Sequence, residues 1–316
     1  MRRALAIWLL AATALRPALA ADAATLDYRL AARSLAPGVW VVEGANADFA
    51  PANGCNIINT GFIATGAGVV VVNTGPSRRY GEQLRALIAR TTGEPVVQVL
   101  QLNLHPDYFL GNQAFADVPR TASATTREGV AREAAAYETN LYRLCGEWMK
   151  GTQALAPDAT LDTSAGRGML RVGERELEWH ALAGHTASDL VLVDRASGVA
   201  FVGGLVFHER VPTTPHADVA AWLASLNALD ALKPTAVVPS HGPVSAGAAG
   251  IAQTRRYLQW LDAQFTQWAE QGLDIHEVLR APVPDEFRAW AAFASEYPRN
   301  VSHLYPRYEQ RALGRH

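Results

Sequence analysis

Short apolar runs, a helical stretch and a further apolar run follow one another along this chain, and the same order recurs in its second half. Residues 39–43 and 56–63 read as short strands, and residues 68–73 form a β-branched run that ends in the turn Thr74-Gly75-Pro76. Residues 79–91 carry Leu84, Leu87 and Ile88 at helical spacing, and residues 96–102 are the next strand, running into Asn103-Leu104-His105. A helix is predicted from about 125 to 148, and the polar, glycine-containing residues 151–168 read as a loop crossing to the second half. There, strands are predicted at 174–182, 190–194 and 199–202, then a helix from about 219 to 232 and a strand at 236–239. A last helix, from about 251 to 270, sets Tyr257, Trp260, Leu261, Phe265 and Trp268 on one broad face that reads as core packing. Two such halves predict an α/β fold, a four-layer α-β-β-α sandwich of two facing sheets with helices outside. The loops at its strand ends, after Leu102, Leu182, Val202 and Pro239, are where such a scaffold builds a site.

Residues 1–20 read as a secretory leader. Arg2 and Arg3 precede an apolar run, Ala4 to Leu15, too short to span a bilayer, and Ala18-Leu19-Ala20 is a small-x-small cleavage signal. The protein is therefore expected to be periplasmic or secreted. No later segment is apolar for long enough to be a transmembrane helix. Residues 21–316 are expected to form one domain with a helical C-terminal extension. Lys plus Arg total 28 against 30 Asp plus Glu, with neither sign gathered into a block, which gives no sign of nucleic acid or an anionic membrane as a partner. Cys55 and Cys145 are expected either to close a long loop as one disulfide, because an exported protein matures where thiols oxidise, or to stay as two buried thiols.

Each of the four strand-end loops carries a distinctive segment: Asn103-Leu104-His105-Pro106-Asp107-Tyr108, then Gly184-His185-Thr186, then Gly203-Gly204-Leu205-Val206-Phe207, then Pro239-Ser240-His241-Gly242. Their order and spacing resemble the metallo-β-lactamase superfamily, over nearly all of the chain after the leader. Thr74-Gly75-Pro76-Ser77-Arg78-Arg79-Tyr80-Gly81-Glu82 and Tyr297-Pro298-Arg299-Asn300-Val301-Ser302 are similar to segments of its quinoprotein relay system zinc metallohydrolases, exported proteins associated with pyrroloquinoline quinone (PQQ)-dependent oxidation.

That resemblance implies a pair of clustered zinc ions that share a hydroxide, since zinc lowers the pKa of bound water to about 7. It puts the first ion at Asn103, His105 and His185, and the second at Asp107, Tyr108 and His241, with Gly204 where a bridging Asp is expected. His105, Asp107, His185 and His241 keep ligating side chains, and Asp107 is also the expected catalytic residue. Asn103 offers only a neutral carbonyl oxygen, Tyr108 ligates only as a phenolate or through water, and Gly204 offers nothing. Asn73 replaces the Asp that orients the metal loop. His208 and His216 flank the following loop, where one of them is a candidate substitute ligand and a substrate contact or a plain surface role is the other reading. Two functions are weighed. One is a hydrolase of ester, thioester or lactone-like small molecules, working with one zinc. The other is an inactive accessory or binding protein of a quinoprotein dehydrogenase system, holding no zinc.

Overall fold

The computed structural model describes residues 26–314, so the leader expected at residues 1–20 lies outside the described residues. Strands β1 (Arg33–Ala36), β2 (Val39–Val42), β3 (Thr60–Ala64) and β4 (Val69–Val72) pair antiparallel in chain order. Strands β5 (Val96–Leu100), β6 (Arg120–Ser123) and β7 (Ala159–Leu161) extend the same sheet in parallel. The second sheet holds β8 (Arg167–Val172), β9 (Arg175–Leu182), β10 (Asp189–Asp194), β11 (Val199–Phe207), β12 (Ala236–His241) and β13 (Ser245–Ala246), ordered β13-β12-β11-β10-β9-β8. Of its neighbours only β11 and β12 run parallel.

Helix α1 (Arg78–Thr92) covers the outer face of the first sheet. The Ser77 hydroxyl accepts from the Tyr80 N–H to start it, and Gly93 ends it in the left-handed region. A single-turn helix, α2 (Pro106–Phe109), and the long α3 (Ala124–Cys145) sit over the end of that sheet, while α4 (Val219–Ala231) and α5 (Ala249–Glu270) cover the second. Two short turns, α6 (Ile275–Val278) and α7 (Asp285–Arg288), lead to α8 (Phe293–Leu313).

The alternation of side chains along each strand explains why both sheets are apolar on two faces. In β4, Val70 and Val72 point between the sheets toward Leu190, Leu192 and Phe201, whereas Val69 and Val71 point out against Leu84, Leu87 and Ile88 of α1. In β10, Leu190 and Leu192 face the inner core and Val191 and Val193 face the layer of Trp222, Leu226, Ile251 and Leu258. This is the α-β-β-α sandwich read from the sequence.

Three expectations are corrected. The stretch 151–168 is not simply a loop: it contains β7 and the start of β8. Strand β11 does not stop at Val202 but runs on to Phe207, through a change of register at Gly203. The helix ending at Glu270 is not the last: α8 follows, despite Pro298 and Pro306, and packs Tyr305 and Tyr308 edge-on to Phe265 of α5. The aromatic stripe of α5 does lie in this core.

Cys55 and Cys145 are bonded, with Cα atoms 6.0 Å apart, and the bond ties the end of α3 to the segment before β3 across 90 residues. Closing so long a loop limits the unfolded chain, so Cys55→Ser with Cys145→Ser is expected to lower stability by about 4 kcal/mol in chemical denaturation. A loss below about 1 kcal/mol would mean that the cross-link restrains little of the unfolded state.

Candidate functional site

The site is assembled where β5, β9, β11 and β12 end. Beyond β5 the backbone crosses from one sheet to the other: the Leu102 N–H donates to Asn73 Oδ1 (3.1 Å), and the Leu102 carbonyl accepts from the Leu190 N–H of β10 (2.8 Å). Asn73, at φ 60°, thus does the loop-fixing work expected of an Asp there. Asn103 is buried with its Oδ1 accepting from the His105 N–H (3.0 Å), while its amide nitrogen is turned to Asp189, 3.5 Å away. Asp189 in turn accepts from the Thr186 N–H and hydroxyl (2.8 and 2.9 Å), which fixes the loop that bears His185. The carbonyl oxygen of Asn103 is therefore already engaged by backbone.

His185 follows Gly184, whose φ of 135° and contact with the Trp222 backbone leave no room for a side chain. The His185 ring lies edge-on to Phe207 and Trp222, with centroids 5.4 and 5.0 Å away, and it fills the space beside Gly204. A Cβ at Gly204 would sit 2.6 Å from His185 Nε2 and closer still to Cδ2. From there a line of imidazoles runs outward. His185 Nε2 is 3.0 Å from His105 Nδ1, and His105 Nε2 is 3.1 Å from His216 Nδ1.

Each of these contacts needs one proton between two nitrogens. A neutral imidazole has one N–H and one lone pair, so His105 donates on one side and accepts on the other, and it keeps no lone pair for an ion. Burial and the His216 ring push the His105 pKa down to about 3, and burial with the neighbouring rings holds His185 well below the usual histidine range. The central members of the chain are therefore neutral at pH 7.

His241 and Asp107 form a second pair. His241 Nδ1–H donates to the Ile57 carbonyl (2.7 Å), which leaves Nε2 as an acceptor facing Asp107 Oδ2 at 3.5 Å. Burial pushes the Asp107 carboxyl up to about 7, against the pull of Arg210, and Oδ2 has no hydrogen-bond partner in the protein. Tyr108 is fully buried, and burial with the charge of Asp107 keeps it a neutral phenol. His208 turns away, its Nδ1 donating to the Pro243 carbonyl (2.9 Å).

The four retained side chains thus meet at one edge of the sandwich, but as two pairs. Among the described residues no three His, Cys, Asp or Glu side chains come together as a group that can hold a metal ion. Catalytic zinc takes three protein ligands. With His105 spent on its two neighbours, Asn103 capped and Tyr108 neutral, the residues present do not fit the implied zinc pair.

The sequence pattern did not bring out the other half of the site, which the C-terminal helix supplies. Glu296, Arg299, Asn300 and His303 share one face of α8, and their i, i+3, i+4, i+7 spacing was a readable signal. Asn300 docks the helix by donating to Pro212 O and accepting from the Thr214 hydroxyl (3.0 and 2.8 Å). Arg210 is fully buried between Ala47, whose carbonyl takes Nη1, and Glu296, 3.6 Å from Nη2. Arg299 binds Glu296 (2.8 Å) and Asp48 (2.9 Å). A cleft of about 400 Å³ opens over His105, Asp107 and His241, with Arg210, Arg299 and His216 in its lining. A larger groove, about 560 Å³, lies between the start of α4 and α8 and touches none of these residues.

Residues 53–241, more than half of the chain, match the family model described as the metallo-beta-lactamase superfamily. A linear primary-alkylsulfatase of a Pseudomonas species is 20% identical over 287 residues, 78% of this chain, which spans about half (54%) of that relative's length. Among solved structures, a metallo-β-lactamase from Pontibacter korlensis superposes with a TM-score of 0.60 at 23% identity, covering 73% of this chain and 99% of its own. A metallo-β-lactamase from Hirschia baltica gives 0.58 at 19%, covering 72% and 97%. At such identities the two structures establish the fold alone. With the family match lying across this two-sheet architecture and its strand-end loops, the chain belongs to the metallo-β-lactamase superfamily, whose members are in general hydrolases.

Proposed function

We propose that this chain is an exported binding or accessory protein on a hydrolase scaffold, associated with a quinoprotein oxidation system, and that it holds a small molecule in the cleft without zinc. The observation that carries this reading is the His185 ring, which lies in the space beside Gly204 and is hydrogen-bonded into the chain with His105 and His216. Export is supported by the Cys55–Cys145 disulfide, a bond that persists in oxidising compartments. The quinoprotein association rests on the resemblance of residues 74–82 and 297–302 alone.

One observation favours a second reading, a mononuclear zinc hydrolase of ester, thioester or lactone-like substrates held by His105, His185 and either Asp107 or His241. His105 Nδ1 and His185 Nε2 already face one another at 3.0 Å.

Metal analysis separates the two. Protein purified from the periplasm, without chelator or added zinc, is expected to carry substoichiometric metal, and EDTA is expected to move its melting temperature by no more than about 1 °C. Stoichiometric zinc, with a melting temperature that falls on chelation, would support the second reading and end the first. Gly204→Asp is expected to cost about 3 kcal/mol in chemical denaturation, because the new side chain must displace the His185 ring and bury a carboxyl. Added zinc is expected to restore none of that loss; restoration would show a latent ion site.

A further inference from the structure

Several buried donors around the cleft lack acceptors in the protein. Arg210 is fully buried and lines the cleft, yet its Nε and Nη2 make no hydrogen bond among the described residues. The hydroxyl of Tyr137, on the α3 side of the same cleft, is likewise buried and unmatched. Each buried donor left unmade costs about 1–3 kcal/mol, so these groups mark a place for acceptor atoms.

The charges agree. Within the lining, the guanidiniums of Arg210 and Arg299 share Glu296, whose carboxyl burial pushes up toward its neutral form, and just outside it Arg299 also pairs with Asp48. The other lining carboxyl, Asp107, faces His241, and the charge of Arg210 lies close enough to act on both. Arg299 is 48% exposed at the mouth, where it bridges Glu296 and Asp48. Phe49, Ile57 and Leu144, the last 38% exposed, give the wall an apolar part beside polar groups such as Asn140, Thr213 and His303.

We propose that the cleft binds an organic anion with an apolar body, its carboxylate or sulfate head taken by Arg210 and Arg299 and its body laid against Phe49 and Leu144. A guanidinium presents a planar fork that meets two oxygens of such a head at once, and it does so without a metal. The cleft, at about 400 Å³, lies within the range that holds small organic ligands. This inference rests on the reading of the cleft as a metal-free binding site.

The test is calorimetric titration of the mature chain in EDTA with octanoate, octyl sulfate, 1-octanol and octylamine. At least one of the two anions is expected to bind about tenfold or more tightly than octanol, and octylamine is expected not to saturate. The preferred anion distinguishes a carboxylate from a sulfate ligand. Arg299→Gln is expected to weaken the anion about tenfold and leave octanol unchanged, the unchanged octanol binding showing that the cleft is still folded. Octanol binding as tightly as the anions, or a preference for octylamine, overturns the proposal. Anion binding that appears only after zinc is added refutes the metal-free reading and keeps the anion class. No anion binding with or without zinc refutes the anion class and leaves that reading standing.

Discussion

The hydrogen bond between His185 and His105 depends on a missing side chain. Because Gly204 has no Cβ, the His185 ring lies against β11 at that residue, and from there its Nε2 reaches His105 Nδ1. His105 then turns its other nitrogen to the exposed His216, so that the two buried rings, His185 and His105, are linked to each other and outward to the surface, while His185 Nδ1 is left without a hydrogen-bond partner. A buried ring nitrogen without a partner is costly, so the two hydrogen bonds stabilise His105 and engage the lone pair that it would offer to an ion. Asn103 follows the same logic, its carbonyl oxygen held by backbone and its amide turned to Asp189.

Around this centre the two sheets, the disulfide and the C-terminal helix hold the walls of the site. The sandwich fixes the strand ends through the Leu102 to Leu190 hydrogen bond between sheets. The disulfide holds the end of α3 beside the segment that brings Phe49 and Ile57 to the cleft. The C-terminal helix closes the other side, and its Glu296 holds the buried cation Arg210, next to the pair of Asp107 and His241. Positive charge near the second pair thus comes from a guanidinium tied to α8.

Much of the fold was legible because β-branched runs such as Val69 to Val72 admit little besides a strand, and because Leu84, Leu87 and Ile88 repeat at helical spacing. Strand β11 was read short because Gly203 and Gly204 interrupt the apolar pattern, although Leu205-Val206-Phe207 continues it. A helical C-terminal extension is expected from the sequence but α8 is not delimited there; it contains Pro298 and Pro306, and burial of Tyr297, Val301 and Tyr305 against α5 overrides their local cost. Strand β6, Arg120–Ser123, has no strand-like composition and is set by its parallel neighbours. At the site, the positions of His105, Asp107, His185 and His241 were readable from their loops, but their grouping into pairs was not. His216 stands 111 residues from His105, and only the tertiary fold brings the rings together.

The central claim concerns where the protons sit on three imidazoles, and long-range ¹H–¹⁵N correlation spectroscopy of the histidine side chains reads that directly. His185, His105 and His216 are expected to appear as neutral rings, each with one protonated and one unprotonated nitrogen, and to keep those shifts when zinc is added at equal concentration. Zinc-dependent shifts at His105 Nδ1 and His185 Nε2, with the proton between them lost, would contradict the account.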